Sequence, residues 1–312
     1  MHTNIQMKKY RKLRKVYKSQ GLEYSLIEIW KYFLLYSKLS IYFQIGLGKE
    51  THQKIVAAPQ IGYWPNLRAP SSFNEKVLHR KLHTNNVLFS TVEDKYNVRE
   101  YVINKVGEHI LPTVYQVTDD AQKLEFKSFP DDFVIKPTHL SGSVNIVKDN
   151  KVNEQSIHQQ CDNWLSDTHS GLNSEYWYED IPPKIIVEEF LEGRDGSAPL
   201  DYKFFVFHGK VEYIEVDSQR FTNHRRTFYD RNWERQDFTL RYPPGSKMDR
   251  PEKLEEMITV AEKLGEEFDF IRVDLYSPRD NNVYFGELTV APDSGFGRFS
   301  PNVFDWKLGQ LW

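Results

Sequence analysis

The apolar positions of the chain change period as it runs, dividing it into a helical front and a strand-rich remainder. Over residues 1–48, Leu22, Leu26, Ile29, Trp30 and Phe33 recur at helical spacing and form one apolar stripe. A loop follows around Pro65 and Pro70. Ser72 with Glu75 three positions on is a capping box, which predicts a helix from there through Leu82. Thr91 with Asp94 repeats the device and predicts a helix to about Val106, with Gly107 closing it. Past Pro130 the pattern turns to short β-type runs over 133–136, 144–148 and 184–190, separated by Gly, Pro or polar turns. Two more runs, 201–207 and 210–216, flank His208-Gly209, a tight-hairpin signal. Asp249 and Pro251 open a helix reaching about Phe268, with Leu254, Met257, Ile258, Ala261 and Leu264 inward. A last hairpin joins 270–276 to 283–290, and the chain has no internal repeat or low-complexity tract. The class that follows is α+β.

Composition narrows this picture. The 312 residues are 39% apolar, 14% aromatic and 27% charged, which fits a soluble globular protein. A net charge of −3 argues against nucleic acid as a partner. The lone cysteine, Cys161, excludes an internal disulfide and a Cys-based zinc cage, and favours a reducing compartment or indifference to redox. Lys8, Lys9, Arg11, Lys12, Arg14, Lys15 and Lys18 crowd the first twenty residues, with no acid among them. The apolar run after them comes too late for a signal peptide and is broken by Glu23, Glu28, Lys31 and Lys38. No stretch reaches the ~18–20 clean apolar residues that a spanning helix needs. The expected location is therefore the cytoplasm. The striped helix has two open readings. It lies on an anionic membrane surface, where each Lys or Arg is worth about 1 kcal/mol, or it docks on its own core with a solvated basic end.

Three segments carry candidate chemistry. In the last hairpin, Arg272, Asp274 and Tyr276 share one face of their strand, as do Phe285, Glu287 and Thr289. A turn symmetric about Asp280 and Asn281 puts Asp274 opposite Glu287, with Cβ atoms about 5 Å apart. Two carboxylates so close need a cation or a proton between them, and Mg²⁺ with its preference for one or two carboxylates answers that need. The competing reading pairs one acid with Arg272 and leaves the other solvated. Upstream, a strand delivers Lys136 to a polar turn, Ser141-Gly142-Ser143, able to offer N–H groups and hydroxyls to phosphate oxygens. It is not a Walker loop, since no Gly-Lys-Ser/Thr run opens a helix. Between the two, an apolar strand ends in Glu188-Glu189-Phe190-Leu191 and could hold adenine through its backbone, although an ordinary edge strand looks the same.

The order of these segments resembles the ATP-grasp enzymes: Lys95, Val-Ile-Lys136-Pro with Ser-Gly-Ser, Val-Glu-Glu-Phe-Leu, Asp201-Tyr202-Lys203, Arg272-Val-Asp274 and Glu287-Leu-Thr. More narrowly, Ser-Phe73-Asn74-Glu75-Lys76, Asp94-Lys95, Asp201-Tyr202-Lys203-Phe and Gly286-Glu287-Leu288-Thr289 look like the TupA-like branch, associated with bacterial surface polymers including teichuronopeptide. The match spans roughly residues 70–312. It implies an ATP-grasp fold of two α+β lobes gripping ATP: a basic helical segment over 1–70, an N-lobe with a phosphate lid over 71–183, and a C-lobe with the metal site over 184–312. Lys95 and Lys136 would grip phosphates, Ser141, Gly142 and Ser143 would form the lid, and Glu188, Glu189, Phe190 and Leu191 would hold adenine. Lys203 would reach the γ-phosphate. Asp274 and Glu287 would hold Mg²⁺, with Thr289 where many relatives place a metal-binding Asn. Arg272 would stabilise the transferring phosphoryl group, and Arg220 would meet the acid substrate.

The activity this implies joins a small-molecule carboxylate to an amine through an acyl phosphate, with an amino acid and a sugar acid or amino sugar of a surface polysaccharide as substrates. Glycosyl transfer is the alternative. Against it, metal carboxylates spaced one apart on a single strand, as in many sugar-nucleotide transferases, are missing. A non-catalytic membrane scaffold would not need Lys95, Lys136, Lys203, Arg272, Asp274 and Glu287 together. His139, His208 and His224 read as bystanders, with His139 nearest the phosphate loop.

Overall fold

The capping box at Ser72 forms as its sequence requires. The Ser72 hydroxyl accepts from the Glu75 N–H at 3.1 Å, and the Glu75 carboxylate accepts from the Ser72 N–H at 3.0 Å. This and the rest of the chain are described by a computed structural model, over residues 21–23, 25–35, 37, 40–167, 174–193, 196, 198–219 and 223–312. Residues 21–23 and 25–35 are helical (α1). They are followed by α2 (Ser40–Leu47), α3 (Lys49–Ile61), α4 (Phe73–His83), α5 (Val87–Glu93) and α6 (Val98–Lys105). Then come β1 (Val114–Thr118), β2 (Phe133–Pro137), β3 (Asn145–Val147), α7 (Glu154–Ser166) and β4 (Ile185–Glu189). The remainder is β5 (Asp201–Phe207), β6 (Lys210–Ser218), β7 (Arg225–Asp230), β8 (Thr239–Leu240), α8 (Leu254–Gly265), β9 (Phe270–Tyr276), β10 (Tyr284–Thr289), β11 (Phe299–Ser300) and α9 (Val303–Leu311).

Two antiparallel sheets organise these elements, one ordered β1-β4-β2-β3 and the other β10-β9-β5-β6-β7. The His208-Gly209 turn works because both residues take positive φ, 47° and 76°, as a two-residue hairpin of matching twist demands. The inward face of α8 is as its periodicity predicts, with Leu254, Met257, Ile258, Ala261 and Leu264 buried against the second sheet.

Strand β4 is an interior strand of the first sheet, and Phe73, Val77, Phe89, Val92, Val98 and Val102 pack into the core of the second. The helix starting at Thr91 is two helices. Asp94 ends α5, and its carboxylate then accepts from the N–H groups of Tyr96 and Asn97 at 2.8 and 3.1 Å, turning the chain into α6. The family-like tetrad after Ser71 is a structural clasp. Phe73 fills the core, and Asn74 donates to the Gly297 carbonyl at 2.7 Å and to the Asp305 carboxylate at 2.6 Å, tying α4 to α9.

Candidate active site

Strand register builds the site. Reading across the second sheet, Glu287 lies opposite Asp274, Asp274 opposite Lys203, and Lys203 opposite Glu215. One step along, Tyr276, Asp201, Asp217 and Arg226 form a parallel row. Since alternate residues share a face, all of these and Arg272 stand on one side of the sheet. Asp274 thus faces Glu287 as the hairpin argument requires, with a bulge at Gly286 that the symmetric turn did not anticipate. The glycine is needed there, because a Cβ would sit 2.9 Å from the Tyr276 ring and 3.0 Å from the Asp274 carbonyl.

The cation between the two acids is Arg272. Its Nε donates to Asp274 Oδ1 at 2.7 Å, and its Nη2 donates to Asp274 Oδ2 at 2.7 Å, to Glu287 at 3.0 Å and to the Thr289 hydroxyl at 3.0 Å. Lys203 donates to Asp201 at 2.5 Å and also to Asp274. Burial alone would lower the pKa of Lys203, but Asp201 and Asp274 outweigh it and hold the amine charged. Asp274 is pushed up to about 6 by burial, which Arg272 and Lys203 only partly offset. Glu287 goes the other way. Burial works against its charge, yet Arg272, Lys203 and Lys95 bring it down to about 2. The Glu287 side chain is also 41% exposed, whereas that of Asp274 is 1% exposed, so one carboxylate is clamped and the other turns outward.

The residues expected from sequence to meet phosphate and nucleotide gather at or beside the first sheet. Lys95 donates to the Leu140 carbonyl at 2.6 Å, which seats it beneath the β2–β3 turn, and it also feels the charges of Glu287 and Lys136. Lys136 pairs with Glu188 on the neighbouring strand. Ser141 and Gly142 are exposed, and a Cβ on Gly142 would meet nothing within 4 Å. Glu189 accepts from the Thr113 N–H at 3.1 Å, and Lys148 stands 4.7 Å over the Phe190 ring. Leu191 is half-buried in the same segment. A small cleft lined by Glu93, Lys95, Gly286, Glu287 and Leu288 joins the two sets of residues. The larger open groove runs along β1, past Gln116, Asp119, Lys123 and Lys184, away from this chemistry. His139 does not line the turn; its Nε2 lies 3.1 Å from the carbonyls of Trp164 and Asp167. Arg220 lies outside the described residues.

Several residues here were not singled out from sequence. Arg226 is gripped by Asp217 at 2.9 and 3.1 Å, by Glu215 at 2.8 Å and by Asp293 at 3.2 Å. His224, read from the sequence as a bystander, lies 2.9 Å from Asp217 and stacks on Tyr242. Glu93 accepts from the Val290 N–H at 2.8 Å and from the Tyr178 hydroxyl at 2.6 Å, fixing the chain just past Thr289. The available signal was charge at every second position of otherwise apolar strands: Asp201 and Lys203 on β5, Glu215 and Asp217 on β6.

Asp274, Glu287 and Thr289 are of the chemistry Mg²⁺ takes, all of them hard oxygens on two paired strands, and Arg272 donates to all three here, so a metal would share them with the guanidinium. Among the described residues no third acid or histidine joins them, so three protein oxygens cannot complete six coordination. Phosphate oxygens and water would supply the rest. Calorimetry is therefore expected to show ATP binding with Mg²⁺ and at least tenfold weaker binding without it, because unshielded triphosphate would face Glu287. Equal affinity in the two titrations would remove the metal assignment.

Lys136→Ala is expected to weaken nucleotide binding by about 1.5–3 kcal/mol, the worth of a charge-assisted contact. It is expected to lower the melting temperature by only a few degrees, since the side chain is 23% exposed and its loss leaves one carboxylate, Glu188, without its partner. Unchanged affinity with collapsed stability would make Lys136 structural.

Several solved structures align with parts of this chain. A D-alanine–D-alanine ligase from Bacillus anthracis aligns with 18% identity and a TM-score of 0.43, over 72% of this chain and 67% of that one. The ADP complex of the purK N5-carboxyaminoimidazole ribonucleotide synthetase aligns with 13% identity and a TM-score of 0.39, over 66% and 46%. The ATP-grasp ligase PsnB with a minimal precursor aligns with 12% identity and a TM-score of 0.39, over 81% and 63%. The chain thus spans only about half to two-thirds of the length of the last two. Among proteins of curated function none matches the sequence. The family model described as TupA-like ATPgrasp matches residues 75–312, a span that begins inside α4 and contains both sheets and every described site residue, so the chain belongs to the TupA-like ATP-grasp family.

Proposed function

We propose that this protein is an ATP-dependent carboxylate–amine ligase that works through an acyl phosphate. The observation that carries the reading is the ladder on the second sheet, where Arg272 and Lys203 converge on Asp274 with Glu287 facing it. Family membership supports the choice of ATP as the nucleotide. In this reading adenine lies along Glu188, Glu189, Phe190 and Leu191, and the phosphates lie under the Ser141-Gly142-Ser143 turn against Lys95 and Lys136. Asp274 and Glu287, with Thr289 beside them, would hold Mg²⁺, which when bound would neutralise charge on the phosphate oxygens.

The chain's own residues do the rest. Asp274 fixes the Arg272 guanidinium through two hydrogen bonds, so the fork is oriented before any ligand arrives. Lys203, kept charged by Asp201 and Asp274, presents its ammonium to the γ-phosphate. An oxygen of the substrate carboxylate attacks the γ-phosphorus, the bond to the β–γ bridging oxygen breaks, and ADP leaves. The amine then attacks the acyl carbon, phosphate leaves, and the nitrogen loses a proton. Arg272 and Lys203 balance the negative charge that develops in the first step. Arg220, beyond β6, is the residue we assign to the acid substrate. The substrates in this reading are an amino acid and a sugar acid or amino sugar of a bacterial surface polymer.

The test is product identity. A panel of amino acids and uronic acids is screened for acid-dependent release of ADP and phosphate. Release of AMP and pyrophosphate, or transfer of sugar from a sugar nucleotide, would overturn the reading. We place the activity in the cytoplasm, with the basic start of the chain at the inner face of the membrane. No described helix is long and apolar enough to cross a membrane.

A further inference from the structure

We propose that the outward face of α1 and α2 is a docking surface for an anionic lipid bilayer, with apolar side chains entering the headgroup boundary and the preceding basic run neutralising lipid charge. This deepens the membrane placement given above and is independent of the chemistry at Asp274.

The argument rests on which way α1 is turned. The side it turns to the protein carries charged groups as well as apolar ones, with Glu23 reaching in from an exposed position. Glu23 pairs with Arg298 at 3.4 Å, Glu28 lies 3.9 Å from Arg241, and Lys31 stands 5.3 Å from the centre of the Phe296 ring. Ser25, Leu34 and Leu35 are buried on the same side. The stripe seen in the sequence faces out, with Leu22 and Leu26 64% and 57% exposed and Trp30 and Phe33 beside them. An ordinary amphipathic helix of a soluble protein is oriented the other way.

The next helix repeats the inversion. α2 buries Ser40 and Gln44 and exposes Tyr42 by 70% and Ile45 by 74%. The faces meet where the rings of Phe33 and Phe43 lie 5.5 Å apart. Among the described residues, nine of the seventeen exposed large apolar side chains fall between Leu22 and Leu47, so the exposure is concentrated rather than scattered.

Charge selects the occupant. The seven Lys and Arg between residues 8 and 18, with no acid among the first twenty, would set two copies of the chain repelling each other across this face. Against anionic lipid each adds about 1 kcal/mol, and apolar insertion supplies the remainder. The helix is also seated on the catalytic lobe: Arg241, which meets Glu28, donates to Asp293 at 3.2 Å, four residues past Thr289.

The experiment is co-sedimentation of the full chain with vesicles of phosphatidylcholine alone or mixed with phosphatidylglycerol, at low and moderate salt. Binding is expected only with the anionic mixture, and to weaken as salt rises. The double variant Leu22→Glu, Leu26→Glu is expected to lose binding about tenfold or more, with melting temperature and ATP affinity unchanged because these side chains are 64% and 57% exposed. Absence of binding by the wild-type chain at low salt, or undiminished binding by the variant, overturns the proposal. So does a wild-type dimer that the same variant splits, which would give the face to a second copy. ATP affinity and ADP release are measured without vesicles, so failure of the ligase reading leaves this result standing, and the reverse.

Discussion

Asp274→Asn is expected to abolish hydroxamate formation. On the proposed mechanism, ATP, Mg²⁺, the correct acid and hydroxylamine together are expected to give a hydroxamate, ADP and phosphate, because hydroxylamine would intercept the acyl phosphate. Asp274 is 1% exposed and holds both Arg272 and Lys203, so its charge would serve the cations and the proposed metal together. Neutralising it leaves two buried cations sharing Asp201 and Glu287, and takes away one of two carboxylates available to Mg²⁺. A loss of about 10²–10³-fold follows from removing one aligned electrostatic contact, and losing the metal adds to it. Arg272→Lys isolates one part of the effect. Its four contacts to Asp274, Glu287 and Thr289 come from a planar fork, and an ammonium reproduces one or two of them at most. That variant is expected to keep its fold and its melting temperature within a few degrees while losing about 10²-fold in rate. Full hydroxamate yield from Asp274→Asn would take the metal and phosphoryl-transfer roles away from this hairpin.

Which parts of this site were legible depended on whether local alternation could decide them. The pairing of Asp274 with Glu287 followed from two strands and a turn, and the structure places them opposite each other even though Gly286 bulges. Strand β5 and the His208-Gly209 turn were equally local. The second row of charges was harder. Asp217 and Arg226 sit at alternate positions that look the same as solvent-facing ones, and only their register against Asp201 shows that they are buried and paired. Strand β4 was recognised, but nothing in its sequence says that it pairs with β1 and β2 rather than with the strands after it. Helix α7 was missed because only Ile157 and Cys161 are buried within an otherwise polar segment, a stripe too narrow to register. For α1 the period was right and the orientation was not available, since a stripe does not say which side of the helix meets the protein. Arg298 and Arg241, far along the chain, decide that by holding Glu23 and Glu28.

Arg80→Met is expected to give the largest loss of stability among single substitutions outside the nucleotide site. The arginine is 3% exposed, and its guanidinium donates to the carbonyls of Phe270 at 2.9 Å and Val290 at 2.8 Å. These carbonyls stand at the first residue of β9 and just past the last residue of β10, so one side chain holds both strands that carry the metal residues. The same group pairs with Asp269 and lies over three rings, 4.2 Å from the centre of Trp312, 5.2 Å from Phe89 and 5.7 Å from Phe270. Burial pushes its pKa down to about 10, which still leaves the cation charged at neutral pH. Methionine keeps the length and much of the apolar stem but donates nothing, so two buried carbonyls lose a donor and the ring contacts lose their charge. The expected cost is about 3–5 kcal/mol, comparable to removing one partner of a buried ion pair. For a chain of this size that corresponds to a fall in melting temperature of roughly 10 °C. Arg80→Lys serves as the graded control, since it retains the charge over the rings but can reach only some of the acceptors, and it is expected to fall between the two. If Arg80→Met melts with the wild type, water or another donor satisfies the two carbonyls, and the two strands are held by the core alone.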